Sequence, residues 1–84
     1  KKKLYILDVR TDSEFTDHRL DIGETLIPLH ELRERAEELP TNKKQEIICY
    51  CRAALRSYEA ALIMNNLGHK NVKILEGGIL AWPF

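Results

Sequence analysis

The run Ile47-Ile48-Cys49-Tyr50-Cys51-Arg52-Ala53-Ala54-Leu55-Arg56-Ser57 constrains this chain more than any other stretch. Its first four residues are apolar and rich in strand formers, which predicts a short buried strand. A compact loop follows, opened by Cys51 and closed by Arg56. Ser57 then reads as the N-cap of an amphipathic helix whose apolar positions are Ala60, Ala61, Ile63, Met64 and Leu67, with Gly68 as its C-terminal cap. A strand feeding a loop that rests on a helix N-terminus presents inward-pointing amides and the positive end of the helix dipole. A cysteine there is held as thiolate well below the free-thiol pKa of about 8.5. The same place attracts anions.

The flanking sequence repeats the alternation of strand and helix. Leu4-Tyr5-Ile6-Leu7 predicts a strand ending at Asp8-Val9-Arg10. Thr11-Asp12-Ser13-Glu14 has the wording of a capping box, starting a short helix that reaches about His18. Residues 19–24, with Asp21 and Gly23, predict a loop, and Thr25-Leu26-Ile27 a strand stopped by Pro28. Leu29, Leu32, Ala36 and Leu39 recur at helical spacing through charged neighbours, predicting a surface helix ended by Pro40. After a polar connector, Glu46 leads into the central strand. Val72-Lys73-Ile74-Leu75 is a further strand, and Gly77-Gly78 turns the chain toward Trp82. Alternating elements of this kind predict an α/β domain with parallel pairing and right-handed crossovers.

Bulk properties narrow the function classes. Eighty-four residues make one domain, 1–84, and a hydrophobic fraction of 44% supports a core without staples. The formal net charge of zero argues against binding nucleic acid or a membrane surface through bulk charge. The one basic cluster, Lys1-Lys2-Lys3, reads as a solvated end. No run is long enough for a membrane span, and no signal-peptide pattern opens the chain. Cys49 and Cys51 are too close on an extended chain to bridge each other. These features predict a reducing, cytoplasmic setting.

His18, His30 and His69 are scattered, with no metal-ligand spacing to the cysteines, so no metal and no cofactor is expected. Cys49 reads as a core residue within the strand. Tyr58 and Trp82 read as packing residues. The charges of residues 31–38 read as a solvated helix face. The thiolate remains open at this level to persulfide, thioester or phosphocysteine chemistry.

Four motifs in order carry a resemblance. Cys51-Arg52-Ala53-Ala54-Leu55-Arg56 resembles the six-residue active-site loop of the rhodanese family. Asp8-Val9-Arg10 with Glu14-Phe15 and His18 is similar to its Asp-Val-Arg and Glu-Tyr/Phe…Gly-His signature. Ile27-Pro28-Leu29 matches its Ile-Pro segment, and Leu75-Glu76-Gly77-Gly78-Ile79 with Trp82 looks like its C-terminal Leu-x-Gly-Gly…Trp motif. The resemblance implies a rhodanese-like three-layer α/β fold with a mostly parallel central sheet flanked by helices, and Asp8 and Arg10 as a structural pair. It also implies a sulfurtransferase. Cys51 would take a sulfane sulfur from thiosulfate or another persulfide and pass it to a thiol or cyanide. Thioredoxin, glutathione and coenzyme A are the acceptors considered. Arg52, Ala53, Ala54, Leu55 and Arg56 would bind the substrate and the persulfide, the two arginines drawing anionic donors.

Loop size separates this from related chemistry. Four residues stand between Cys51 and Arg56, whereas the family's phosphatase and arsenate reductase relatives place five there. Those enzymes, and a non-catalytic regulatory module of the same fold, are the alternatives. Ala54 stands where many relatives have glycine, and an alanine at positive φ would cost about 1 kcal/mol. The wording of residues 18–23 departs from the family's Gly-His-Ile-Pro-Gly-Ala. Relatives carry an extra strand and helix before the first motif, so a shortened form or a piece of a larger protein is expected. Leu55-Arg56-Ser57-Tyr58 is similar to rhodanese domains fused behind coenzyme A-disulfide reductases.

Overall fold

The computed structural model describes residues 4–19, 21–51 and 55–75. The expected turn at Gly77-Gly78, Trp82, the three N-terminal lysines and loop residues Arg52, Ala53 and Ala54 lie outside that set. Four strands, β1 (Leu4–Asp8), β2 (Thr25–Leu26), β3 (Glu46–Tyr50) and β4 (Val72–Ile74), pair in parallel in the order β2-β1-β3-β4. Two α-helices, α1 (Asp12–Asp17) and α2 (Leu55–Asn66), and two 3-10 turns complete the described elements. This is the α/β architecture that the alternation predicts.

Residue alternation assigns the two sheet faces. Tyr5, Leu7 and Val9 from β1 and its extension share a face with Ile47, Cys49 and Cys51 from β3 and its extension. Against that face pack Ala60, Ile63 and Met64 of α2, with Leu32 and Leu39 from the connection between β2 and β3. Removing the side chain at a fully buried position such as Leu7 or Met64 costs about 2–5 kcal/mol.

The other face is polar where β1 and β3 meet. Asp8 and Arg10 are both buried. Arg10 Nε and Nη2 donate to the Asp8 carboxylate at 3.0 and 2.9 Å, and the Arg10 amide donates to Asp8 Oδ1 at 2.9 Å. The guanidinium stands 5.6 Å from the centre of the Tyr50 ring, and Tyr50 donates its hydroxyl to Glu24 Oε2 at 3.0 Å. Burial, followed by the negative charge of Asp8, pushes the Tyr50 pKa up. The structural role expected for the Asp8–Arg10 pair is what the geometry shows.

Local signals explain the helices. Thr11 Oγ1 accepts from the Glu14 amide, and Glu14 Oε1 accepts from the Thr11 amide at 3.0 Å, so both arms of the capping box are present. Helix α1 ends at Asp17, where the His18 amide still reaches Glu14 O at 2.9 Å. At the far end of α2, the His69 amide donates to Met64 O and the Gly68 amide to Asn65 O, both at 3.0 Å. That pair of bonds is a Schellman motif, with Gly68 at φ +99° supplying the left-handed residue.

Three expectations are corrected. Residues 29–39 form no continuous helix. They are two 3-10 turns, Leu29–Glu31 and Ala36–Glu38, joined by turns. Pro28 lacks an N–H, the Leu29 amide is held by Val9 O at 3.1 Å, and Leu32 and Leu39 must both reach the core. These anchors override the periodic pattern. Arg35 clamps the segment from outside, donating to Glu31, to Glu38 and to Leu26 O on β2. Second, Ser57 is not an N-cap. The chain is already helical at Leu55, and Ser57 points inward on the face shared by Ala60 and Met64. Third, Tyr58 is half exposed rather than packed, in a row with Leu55 and Leu62 on the outer face of α2.

The strand order creates a crevice. From β1 the chain crosses to β2 on one side, and from β3 it crosses to β4 on the other. Right-handed crossovers then place α1 on one face and residues 29–39 with α2 on the other. The direction of winding reverses between β1 and β3. Ligands of open α/β sheets bind beyond the carboxyl ends of the strands at such a reversal.

Candidate active site

Cys51 occupies that reversal point. It is the first residue beyond β3, and the pairing of Asp8 with Tyr50 sets it beside Val9 just past the end of β1. The Val9 amide donates to Tyr50 O at 3.1 Å, which fixes this register up to the crevice. Cys51 is 1% exposed and faces the same side of the sheet as Cys49. The positive end of α2 begins a few residues later in the chain.

Arg56, the closing residue of the predicted loop, is tied down from across the molecule. Its Nη1 donates to Glu14 Oε1 at 2.7 Å and its Nη2 to Glu14 Oε2 at 3.0 Å, a bidentate pair. The hydrogen bond from Arg56, assisted by the Thr11 amide, lowers the Glu14 pKa to about 2. Arg56 is in turn stabilised as a cation, chiefly by Glu14 and to a smaller degree by the nearby Cys51 and Asp8. One carboxylate therefore caps α1 and orients the arginine at the start of α2.

The two thiols stand in different surroundings. Cys49 lies in the middle of β3, between β1 and β4, and burial pushes its pKa up to about 12. The Ser57 hydroxyl opposes this from close by, although it forms no hydrogen bond of ordinary geometry. Cys49 is thus an inert core thiol, as expected for a mid-strand position. Neither cysteine is in a disulfide.

Two grooves flank α2. One, of about 380 Å³, opens between α2 and the segment after β2 and is lined by Val9, Pro28, Leu29, Arg33, Arg56 and Glu59 among others. The second, of about 470 Å³, runs between α2 and β4 past Tyr58, Leu62 and His69. His69 is buried, and its Nδ1 has no hydrogen-bond partner among the described residues. His30 is exposed, 3.3 Å from Glu31. No three His, Cys, Asp or Glu side chains among the described residues are grouped to hold a metal ion. No helix among them is long and apolar enough to cross a membrane.

Of the predicted site residues, the structure thus sets Cys51 and Arg56 at one crevice, while Leu55 is 77% exposed at the start of α2. Arg52, Ala53 and Ala54 fall outside the described residues. Sequence reasoning placed Glu14 at the start of α1 and within the family's signature, but gave it no partner on α2. Its partner is 42 positions away, and the capping-box wording carries no sign of it.

A model of the family described as "Rhodanese-like domain" matches residues 1–83. The chain belongs to the rhodanese-like domain family. A relative named "Sulfurtransferase" from Allochromatium vinosum is 34% identical over 77 residues, covering 92% of this chain and 69% of that protein. Among solved structures, the rhodanese-like domain is similar to an NAD-dependent persulfide reductase from A. fulgidus, at 42% identity and a TM-score of 0.80 over 94% of this chain. It is likewise similar to reduced CoADR-RHD from Bacillus anthracis, at 36% identity and a TM-score of 0.78 over 88% of this chain. The chain spans only 14% and 13% of those two larger chains. The latter similarity agrees with the likeness read from Leu55-Arg56-Ser57-Tyr58.

Proposed function

We propose that this rhodanese-like domain is a sulfurtransferase that carries sulfane sulfur on Cys51. The observation that carries the reading is the position of Cys51. It is the one described thiol at the winding reversal, close enough to Arg56 to act on its charge and four positions before a twelve-residue helix. Its relatives' names, a sulfurtransferase and a persulfide reductase, support the same chemistry.

In the first half-reaction the Cys51 thiolate attacks the outer sulfur of thiosulfate. The sulfur–sulfur bond of the donor breaks, sulfite leaves with the electron pair, and a persulfide remains on Cys51. A persulfide donor reacts in the same way, its carrier thiolate leaving instead. In the second half-reaction an acceptor thiolate or cyanide attacks the outer sulfur, and Cys51 regains its electron pair as thiolate. The persulfide bond extends the reactive atom by about 2 Å from the Cys51 sulfur. The buried thiol thus acts through an atom projecting beyond it. Arg56, with the positive end of α2, favours the anionic sulfur and the anionic donor. The count of four residues between Cys51 and Arg56 favours a cavity for sulfur over one for a tetrahedral oxyanion.

Burial of Cys51 to 1% exposure favours the second reading, a non-catalytic module of the same fold. Intact mass after incubation with thiosulfate separates them. The expected result is the gain of one sulfur atom by the wild-type protein and none by Cys51→Ser. Absence of the adduct across the pH range sinks the transfer reading, and turnover of an aryl phosphate would replace it with phosphatase chemistry.

A further inference from the structure

We propose that the outer face of α2 is a self-association surface, on which two copies of this chain pack their α2 helices antiparallel across a two-fold axis. The proposal does not depend on the sulfur-transfer reading. Leu55, Tyr58 and Leu62 are 77%, 50% and 65% exposed and follow one another at three- and four-residue spacing. They therefore form one apolar ridge along the helix. A single exposed leucine needs no explanation, whereas three large apolar side chains in a row mark a contact. Beside the ridge, on the side of β4, lies the groove of about 470 Å³, with Tyr58, Ala61, Leu62, Asn65 and Val72 in its walls.

The charge pattern decides which partner fits. In a chain with 31% charged residues, the ridge carries none. Between Leu55 and Asn66 the charged residues are Arg56 and Glu59, and both line the groove on the opposite flank. Lys70 lines the groove beside β4, but only beyond the end of the helix. A two-fold contact sets a patch against its own copy, so a charge near the axis would meet a like charge. The uncharged ridge satisfies that condition. A strongly charged partner would find nothing on it to engage. Shape points the same way, because the ridge lies next to a hollow of its own length. With the axis level with residue 60, antiparallel helices set Tyr58 of each copy against Leu62 of the other. Each ridge then lies along the other copy's groove, and an aromatic residue sits near the centre of the contact, where such residues contribute most.

A ridge of three side chains is small beside the surface of about 800 Å² per partner that stable complexes bury, so the expected Kd is roughly 10–500 μM.

The test is sedimentation velocity of the wild-type chain from about 5 μM to about 1 mM, which brackets that range. Monomer at the low end and dimer at the high end are expected. Leu62→Glu and Tyr58→Lys should each raise Kd by about ten-fold or more. Mixing these two variants should give a heterodimer tighter than either variant forms with itself, because the antiparallel register sets the introduced cation against the introduced anion. That gain also shows that both variants are folded. Glu59→Gln, on the other flank, should leave Kd unchanged. A wild type that stays monomeric throughout overturns the proposal and leaves the ridge to a different protein. A dimer that Leu62→Glu does not weaken, or a mixture that gains nothing, overturns it as well.

Discussion

Glu14 carries two duties that its position in the sequence does not announce. Its carboxylate closes the capping box of α1 and holds Arg56 in a fork of two hydrogen bonds. With a pKa near 2 it remains a constant negative charge through any titration of a thiol. Arg56 therefore brings a cation to Cys51 together with a counter-charge that offsets part of it. Two substitutions separate these contributions by sign. Arg56→Ala removes the cation and leaves Glu14 behind, so the midpoint of the pH dependence of Cys51 alkylation should rise. Glu14→Gln keeps the size and the cap but removes the anion, so the midpoint should fall. Shifts of about half a unit to one unit suit partly screened charges at this distance. If both variants move the midpoint the same way, or neither moves it, the backbone and helix dipole alone set the thiolate.

Among the elements, the end of α2 gives the cleanest case of a residue type dictated by backbone geometry. Gly68 sits at φ +99°, and an added Cβ would meet only Lys43 carbons at 3.9 Å. Gly68→Ala should therefore cost about 1 kcal/mol through backbone strain alone. Chemical denaturation should show that loss with an unchanged m-value. This cap was legible in the sequence, as were the capping box at Thr11 and Glu14 and all four strands. Each depends on neighbours within a few positions. Residues 29–39 were misread because their apolar spacing fits a helix, while the anchors that break it, Val9 O for the Leu29 amide and Leu26 O for Arg35, come from other strands. Ser57 was misread for a related reason. Its type is right for a cap, but the helix begins earlier and turns the hydroxyl inward beside Cys49. The Cys51–Arg56 spacing was legible because both belong to one loop and helix start. The Glu14 clamp was not, because it joins two helices that the sequence treats as strangers.

For the molecule as a whole, the strand order β2-β1-β3-β4 puts β3 inside the sheet and Cys51 at its mouth. The two cysteines are separated by one residue, yet they answer to different events. Cys49 has strands on both sides, with its carbonyl taken by the Leu75 amide at 3.0 Å, so a reagent reaches it only when the sheet comes apart. Cys51 lies past the last paired residue and needs no strand separation. Under native conditions a thiol reagent should therefore modify Cys51 first and Cys49 far more slowly, at a rate set by global opening. Gly68→Ala should speed the slow phase about five-fold, the factor that 1 kcal/mol supplies, and leave the fast phase unchanged. Equal rates for the two thiols would contradict the placement of Cys49. If they differ as expected, the protein contains its own clock. One time course of labelled masses would then read the chemistry of the site and the lifetime of the fold together, with no probe attached.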